Sequence, residues 1–174
     1  MNKQTAAAVA KTGKHGPSSF ELYRDGRTTP AIMMTIGLVL AGRRWRSLLD
    51  ERLRPTGQSS ARMQTLAAIL NLPPLSPQVD IARRLKIEGP TLTRMLDALE
   101  QDGLVERLPD PGDRRTKLVR VTPAGEKVLE RIFAIADELR TRLLEGLGEA
   151  RVAEANALFA ELIRRFDAGL PVSG

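Results

Sequence analysis

The chain of 174 residues contains no cysteine, and only one histidine, one tryptophan and one tyrosine. Without cysteine there is neither a disulfide framework nor a thiolate metal site. His15 sits in a stretch of Ala, Lys, Gly, Ser and Thr, where a solvated role is expected. No Ser-His-Asp arrangement and no GxxxxGKS/T phosphate loop is evident. Long apolar runs are also missing. The uncharged segment from Thr28 to Gly42, followed by Arg43 and Arg44, is shorter than the roughly 20 residues a bilayer requires. The alanine-rich run from Ala6 to Ala10 falls below a secretory core segment. These absences argue against an enzyme, a resident metal or cofactor, and a membrane protein.

What is present suits one globular domain, since 42% of the residues are apolar and two independent cores would be cramped in this length. The formal charge of +6 favours a polyanionic partner. That charge is unevenly placed. Between Val79 and Gly125, nine Lys and Arg face eight Asp and Glu, so any recognition of a polyanion by this segment rests on geometry more than on gross charge. The surplus lies in Arg43, Arg44, Arg46, Arg52, Arg54 and Arg62, and in the Lys and Arg of the first thirty residues.

The stretch from Val79 to Gly125 carries the most information. Val79, Ala82 and Leu85 recur about once per helical turn, and the pattern stops at Lys86-Ile87-Glu88. A second helix is expected from about Gly89 to Asp102, with Pro90 in its first turn and Leu92, Met95, Leu96 and Leu99 as its buried stripe. Its other face bears Thr91, Thr93, Arg94, Asp97 and Gln101. Short hydroxyls and a guanidinium near a helix start can reach bases and phosphates in a major groove. Gly103 ends the helix. Leu104 to Leu108 and Lys117 to Val121 then read as two β-strands pairing in a hairpin. The loop from Pro109 to Thr116 exceeds ordinary hairpin length and carries Arg114 and Arg115 at its tip. An arginine on such a hairpin can enter a narrow minor groove, where the negative potential is enhanced. Asp113 is expected to orient Arg115 through a charge-assisted hydrogen bond. For Arg107 and Arg120 on the strands, pairing with Glu106 and contact with phosphate both stay open.

Elsewhere, helices are expected from Ala31 to Arg54, from Ser60 to Leu70, from Pro123 behind a Thr122 cap to Gly146, and from there to about residue 168. Residues 1–28 read as a disordered basic arm and 169–174 as a flexible tail. The terminal helices carry apolar stripes that the two short helices and the hairpin alone would not cover, which implies a larger core or a second copy of the chain.

This unit resembles the winged helix of the MarR family of bacterial transcription regulators. The residues that carry the resemblance are Pro90-Thr91-Leu92-Thr93-Arg94, then Leu96-Asp97, Leu99-Glu100 and Gly103-Leu104-Val105 with Arg107. The wing pair Asp113 and Arg115 and the junction Val121-Thr122 with Gly125 complete the match. Upstream, Trp45-Arg46-Ser47-Leu48-Leu49-Asp50, Arg52-Leu53, Pro55 and Leu72-Pro73-Pro74 are similar to the SlyA-like branch. Glu88 departs from the wider family, many of whose members place a capping Ser there, and Glu caps less well.

The resemblance implies a mainly α fold with a small antiparallel β-hairpin. A winged helix-turn-helix (about 60–122) would be flanked by N- and C-terminal dimerisation helices (about 31–54 and 123–168), the whole domain spanning 29–168. It implies a cytoplasmic, nucleoid-associated homodimer that binds double-stranded DNA at a pseudo-palindromic operator, with Pro90, Thr91, Thr93, Arg94, Asp113, Arg114 and Arg115 at the DNA. It further implies an effector of the small aromatic carboxylate class. Arg43, Arg44 or Arg46 would pair with the carboxylate while Trp45, Leu49, Met63 and Leu66 contact the ring. A core or interface anchor is the plainer role for Trp45. Two other readings are an effector-independent architectural or anti-silencing DNA binder and a winged-helix protein-protein adaptor.

Overall fold

The computed structural model describes residues 18–113 and 115–170. The expectations for residues 1–17, Arg114 and residues 171–174 therefore lie outside the described residues. Contacts divide the chain into two units, residues 1–48 and 49–174.

In the first unit, the segment expected as a loose arm contains a short helix, α1 (Ser19–Arg24). The local reason is a capping box. The Glu21 amide donates to Ser18 Oγ and the Ser18 amide donates to Glu21 Oε2, so two end donors are satisfied at once. Helix α2 (Pro30–Leu53) opens on proline as its first residue and runs across the division between units. Met33, Met34, Ile36, Val39 and Leu40 of α2 are exposed, whereas Leu49 and Leu53 are buried.

The second unit contains α3 (Ser60–Leu70), β1 (Ser76–Pro77), α4 (Gln78–Leu85), α5 (Gly89–Gln101), β2 (Val105–Pro109), β3 (Lys117–Val121), α6 (Pro123–Leu144) and α7 (Glu149–Ala168). Caps explain the starts of α3 and α6: Ser59 Oγ accepts from the Arg62 amide and Thr122 Oγ1 from the Gly125 amide. Pro123 then takes the first helical position. Among the described residues the sheet has three antiparallel strands in the order β1-β3-β2, one more than the expected hairpin. The added strand pairs Ser76 with Val119 and Pro77 with Leu118. Pro77, which reads as a break in sequence, fits an edge strand, where its missing N–H removes no ladder bond.

The core of this unit joins Leu66 and Ile69 of α3, Ile81 and Ala82 of α4, Leu92, Leu96 and Leu99 of α5, Leu104 and Val105, Val119 of β3 and Leu129 of α6. Ile81 and Ala82 are the buried residues of α4, while Val79, read as part of the buried stripe, is 61% exposed. Of the one-per-turn residues Val79, Ala82 and Leu85, Ala82 is buried and Leu85 packs half-buried against the core, while Ile81 takes the core place that Val79 does not. Helix α6 buries Leu129, Ile132, Ala136 and Leu139, but Phe133 and Leu143 are exposed. Helix α7 has no buried residue: Val152 and Leu162 are half-buried, and Leu158, Phe159, Ile163 and Phe166 of the stripe expected there are exposed among the described residues. No helix among the described residues is long and apolar enough to cross a membrane.

Candidate nucleic-acid interface

The turn between α4 and α5 positions the candidate reading helix. Lys86 closes α4 in the left-handed region at φ 55°, and its amide bonds to the last carbonyls of that helix. Glu88 takes the cap position of α5 without a side-chain bond to the helix start, as its chemistry predicts. Leu92, Leu96 and Leu99 anchor the inner face of α5, leaving Pro90, Thr91, Thr93 and Arg94 exposed on the outer one. Thr93 Oγ1 donates to the Gly89 carbonyl at 3.1 Å. Its hydroxyl proton is thus spent within the helix, and only its acceptor lone pairs face outward.

The wing is shaped by Asp113 in a way the sequence did not reveal. Its carboxylate accepts the Arg115 main-chain amide at 2.9 Å and the Thr116 hydroxyl at 2.8 Å. The bond to Arg115 therefore runs to its backbone, and Asp113 builds the turn instead of orienting the guanidinium. Those two donors hold the Asp113 carboxyl below its ordinary value. Arg115 is exposed.

Most acidic residues between Val79 and Gly125 are engaged by groups of the same unit. Asp80 pairs with Arg83, Asp97 and Glu100 with Arg107, Asp102 with Arg62, and Glu106 with Arg120. Asp110 accepts the Gly112 amide. Among the described residues, Arg84, Arg94, Arg115 and Lys117 have no carboxylate within ion-pair distance. Near neutrality by count therefore hides an arrangement in which, among the described residues, the anions other than Glu88 are engaged and several cations are free. Arg107 and Arg120, left open by the sequence, both pair with carboxylates.

The residues that sequence reasoning missed are Arg62, Asp97, Glu100 and Asp102 as a supporting network. Asp97 and Glu100 lie three apart on α5, so they share a helix face, and Arg107 follows the Gly103 turn. That spacing was the available signal. The Glu100 carboxyl is held below its ordinary value chiefly by the hydrogen bond from Arg107, against the opposing effect of burial. Folding thus favours the ionised form, so its contribution is complete above the ordinary carboxylate range and fades as pH falls through it. Thermal unfolding from neutral to acid pH should show a smaller acid-side loss in Glu100→Gln than in the parent protein. Identical pH profiles would show that this pair does not couple folding to protonation.

The proposed effector residues are placed as follows. Arg43, Arg44 and Arg46 are exposed on α2 and Trp45 is half-buried. Leu49 and Leu66 are 1% and 0% exposed, so neither offers surface to a ring in this conformation. Met63 is half-buried against the winged-helix core.

Comparison with known proteins bears on the same segment. The model of the MarR family matches residues 59–117. The transcriptional regulator PA3341 is 33% identical, with a TM-score of 0.69, over 78% of this chain and 98% of its own. A mutant MarR from E. coli complexed with operator DNA is 28% identical, with a TM-score of 0.69, over 76% of this chain and 94% of its own. Another structure of a mutant MarR from E. coli is also 28% identical, with a TM-score of 0.67, over 79% of this chain and 98% of its own.

Proposed function

Since the chain belongs to the MarR family, we propose that it is a cytoplasmic, sequence-specific regulator of transcription that binds double-stranded DNA as a homodimer. The observation that carries this reading is the charge arrangement: Arg94 on the outer face of α5 and Arg115 on the wing are exposed and, among the described residues, free of carboxylates, while the nearby acids other than Glu88 are engaged within the scaffold. In this reading α5 enters a major groove with Thr91, Thr93 and Arg94, and the wing enters the adjacent minor groove through Arg115. Catalysis has no place in it, and MarR-family proteins are transcription regulators.

The second copy is supported by uncovered apolar surface. Leu143, Leu144 and Leu147 and, on α7, Leu158, Phe159, Ile163 and Phe166 are all at least 40% exposed. A face of this kind on a soluble protein calls for a partner. A two-fold dimer then addresses two half-sites about one helical turn apart, hence a pseudo-palindromic operator. The SlyA-like branch and release by a small aromatic carboxylate complete the proposal, with exposed Arg43, Arg44 and Arg46 beside Trp45 as the anion-binding group on α2. Such a ligand regulates only by binding the DNA-competent and incompetent conformations with different affinity.

The test is fluorescence anisotropy on DNA from upstream of the protein's own gene, with scrambled DNA as control, with and without excess salicylate. Specific binding that salicylate weakens supports the whole reading. Specific binding indifferent to salicylate retains the regulator and removes salicylate, and no preference over scrambled DNA transfers weight to an architectural binder. In the same assay Arg94→Ala should lower affinity by about 1–3 kcal/mol and relax discrimination at one base pair. Arg115→Ala should weaken binding with the dimer intact. Unchanged affinity in either variant removes that residue from the interface.

A further inference from the structure

We propose that Arg107 is a positioning residue for DNA recognition, which locks the reading helix α5 and the wing strand β2 into one unit without itself contacting DNA. This rests on the DNA-binding reading above and assigns a role to a residue outside the reading surface. Arg107 Nη2 donates to Glu100 Oε2 and to Asp97 Oδ1, each at 2.6 Å, and Nε donates to Glu100 Oε2 at 3.0 Å. Its main-chain amide donates to the other Glu100 oxygen at 3.1 Å. Among the described residues strand β2 lies at the edge of the sheet, with β3 as its one strand neighbour. The Glu100 carboxylate therefore closes an amide that the ladder leaves open, and the same carboxylate grips the side chain. Helix and wing are tied at both backbone and side-chain level.

Burial and charge separate this role from phosphate contact. The Arg107 side chain is 18% exposed, and it faces two carboxylates. One guanidinium between two carboxylates leaves a negative excess, which disfavours a phosphate as a further partner. The bond to Glu100 raises the Arg107 pKa, against desolvation, so the cation persists at every working pH. A second arginine braces the same helix at its far end. Arg62 Nη2 donates to Asp102 Oδ2 at 2.5 Å, while its Nε donates to Gln58 at 3.0 Å. Base readout needs donors and acceptors placed within a fraction of an ångström, and a supporting shell of this kind supplies that precision.

Binding of the full-length protein to its own upstream DNA and to scrambled DNA, over a salt series, tests the proposal. Arg107→Lys keeps the charge and loses the fork, and Glu100→Gln is close in shape to the parent residue and removes the anion. For each variant, with thermal unfolding confirming a folded protein, the specific-to-scrambled affinity ratio should fall about tenfold with an unchanged salt slope. The double variant should lose little more than either single one, because both break the same link. A ratio preserved with a slope reduced by about one would make Arg107 a phosphate contact and overturn the proposal. A parental ratio in both variants would overturn it and leave the DNA-binding reading intact. No discrimination by the parent protein would remove the sequence-specific reading and the positioning role together.

Discussion

Gly125→Ala is expected to destabilise the winged helix by about 3 kcal/mol or more, at the upper end of what overpacking costs. Gly125 lies in the first turn of α6, and a Cβ built there would stand 2.1 Å from the Leu104 carbonyl oxygen and 2.7 Å from Val121 Cγ1. Neither neighbour can retreat cheaply. The Leu104 oxygen accepts the Thr122 amide at 3.0 Å, and Thr122 Oγ1 donates to the Gly103 carbonyl at 2.7 Å. The same threonine oxygen caps α6 through the Gly125 amide. Relieving the overlap therefore breaks the junction at which the end of α5, the start of β2 and the start of α6 meet. Denaturant unfolding should show a lowered midpoint at unchanged slope. Gly112→Ala, whose Cβ would make only an ordinary contact at 3.5 Å, should stay within about 0.5 kcal/mol of the parent. Equal midpoints for the two variants would refute the close approach at Gly125.

Leu96→Ala should cost about 2–5 kcal/mol, the range for a leucine truncated in a core that relaxes only in part. Leu96 is 0% exposed and belongs to the cluster joining α3, α4, α5, the strands and α6. The cavity would lie directly beneath the helix whose opposite face carries Arg94. On the proposed DNA-binding reading, stability and recognition are coupled at this position, and affinity for the upstream DNA should fall even where the variant remains folded. Val79→Ala is the useful contrast, because Val79 is 61% exposed and its truncation should cost no more than about 0.5 kcal/mol. Were Val79→Ala as damaging as Leu96→Ala, the face that α4 buries would have to be the one through Val79.

Those two residues show how far the chain could be read unaided. On α5, three leucines at helical spacing identify the buried face without ambiguity, since its other face is polar. On α4, an eight-residue helix, a stripe through Val79 and one through Ile81 are both plausible, and only the neighbours decide between them. Helix α1 was legible in Ser18 and Glu21, yet its low apolar periodicity concealed it. Arg94 and Arg115 were visible as exposed cations, but the use of Asp113 for the turn backbone was not, because a side chain's choice among nearby donors depends on the conformation of the loop.

Caps, prolines at helix starts, glycines at helix ends and apolar periodicity act within a few residues, and the order of helices and the paired strands of the wing follow from them. The family resemblance, too, resides in the residues themselves. The third strand, the closed edge of β2, the clamps at Arg107 and Arg62 and the crowding at Gly125 arise between elements separated along the chain. Each depends on which faces the shared core brings together, and that choice is made by the free energy of burying the whole set of apolar side chains at once, a quantity no local segment contains.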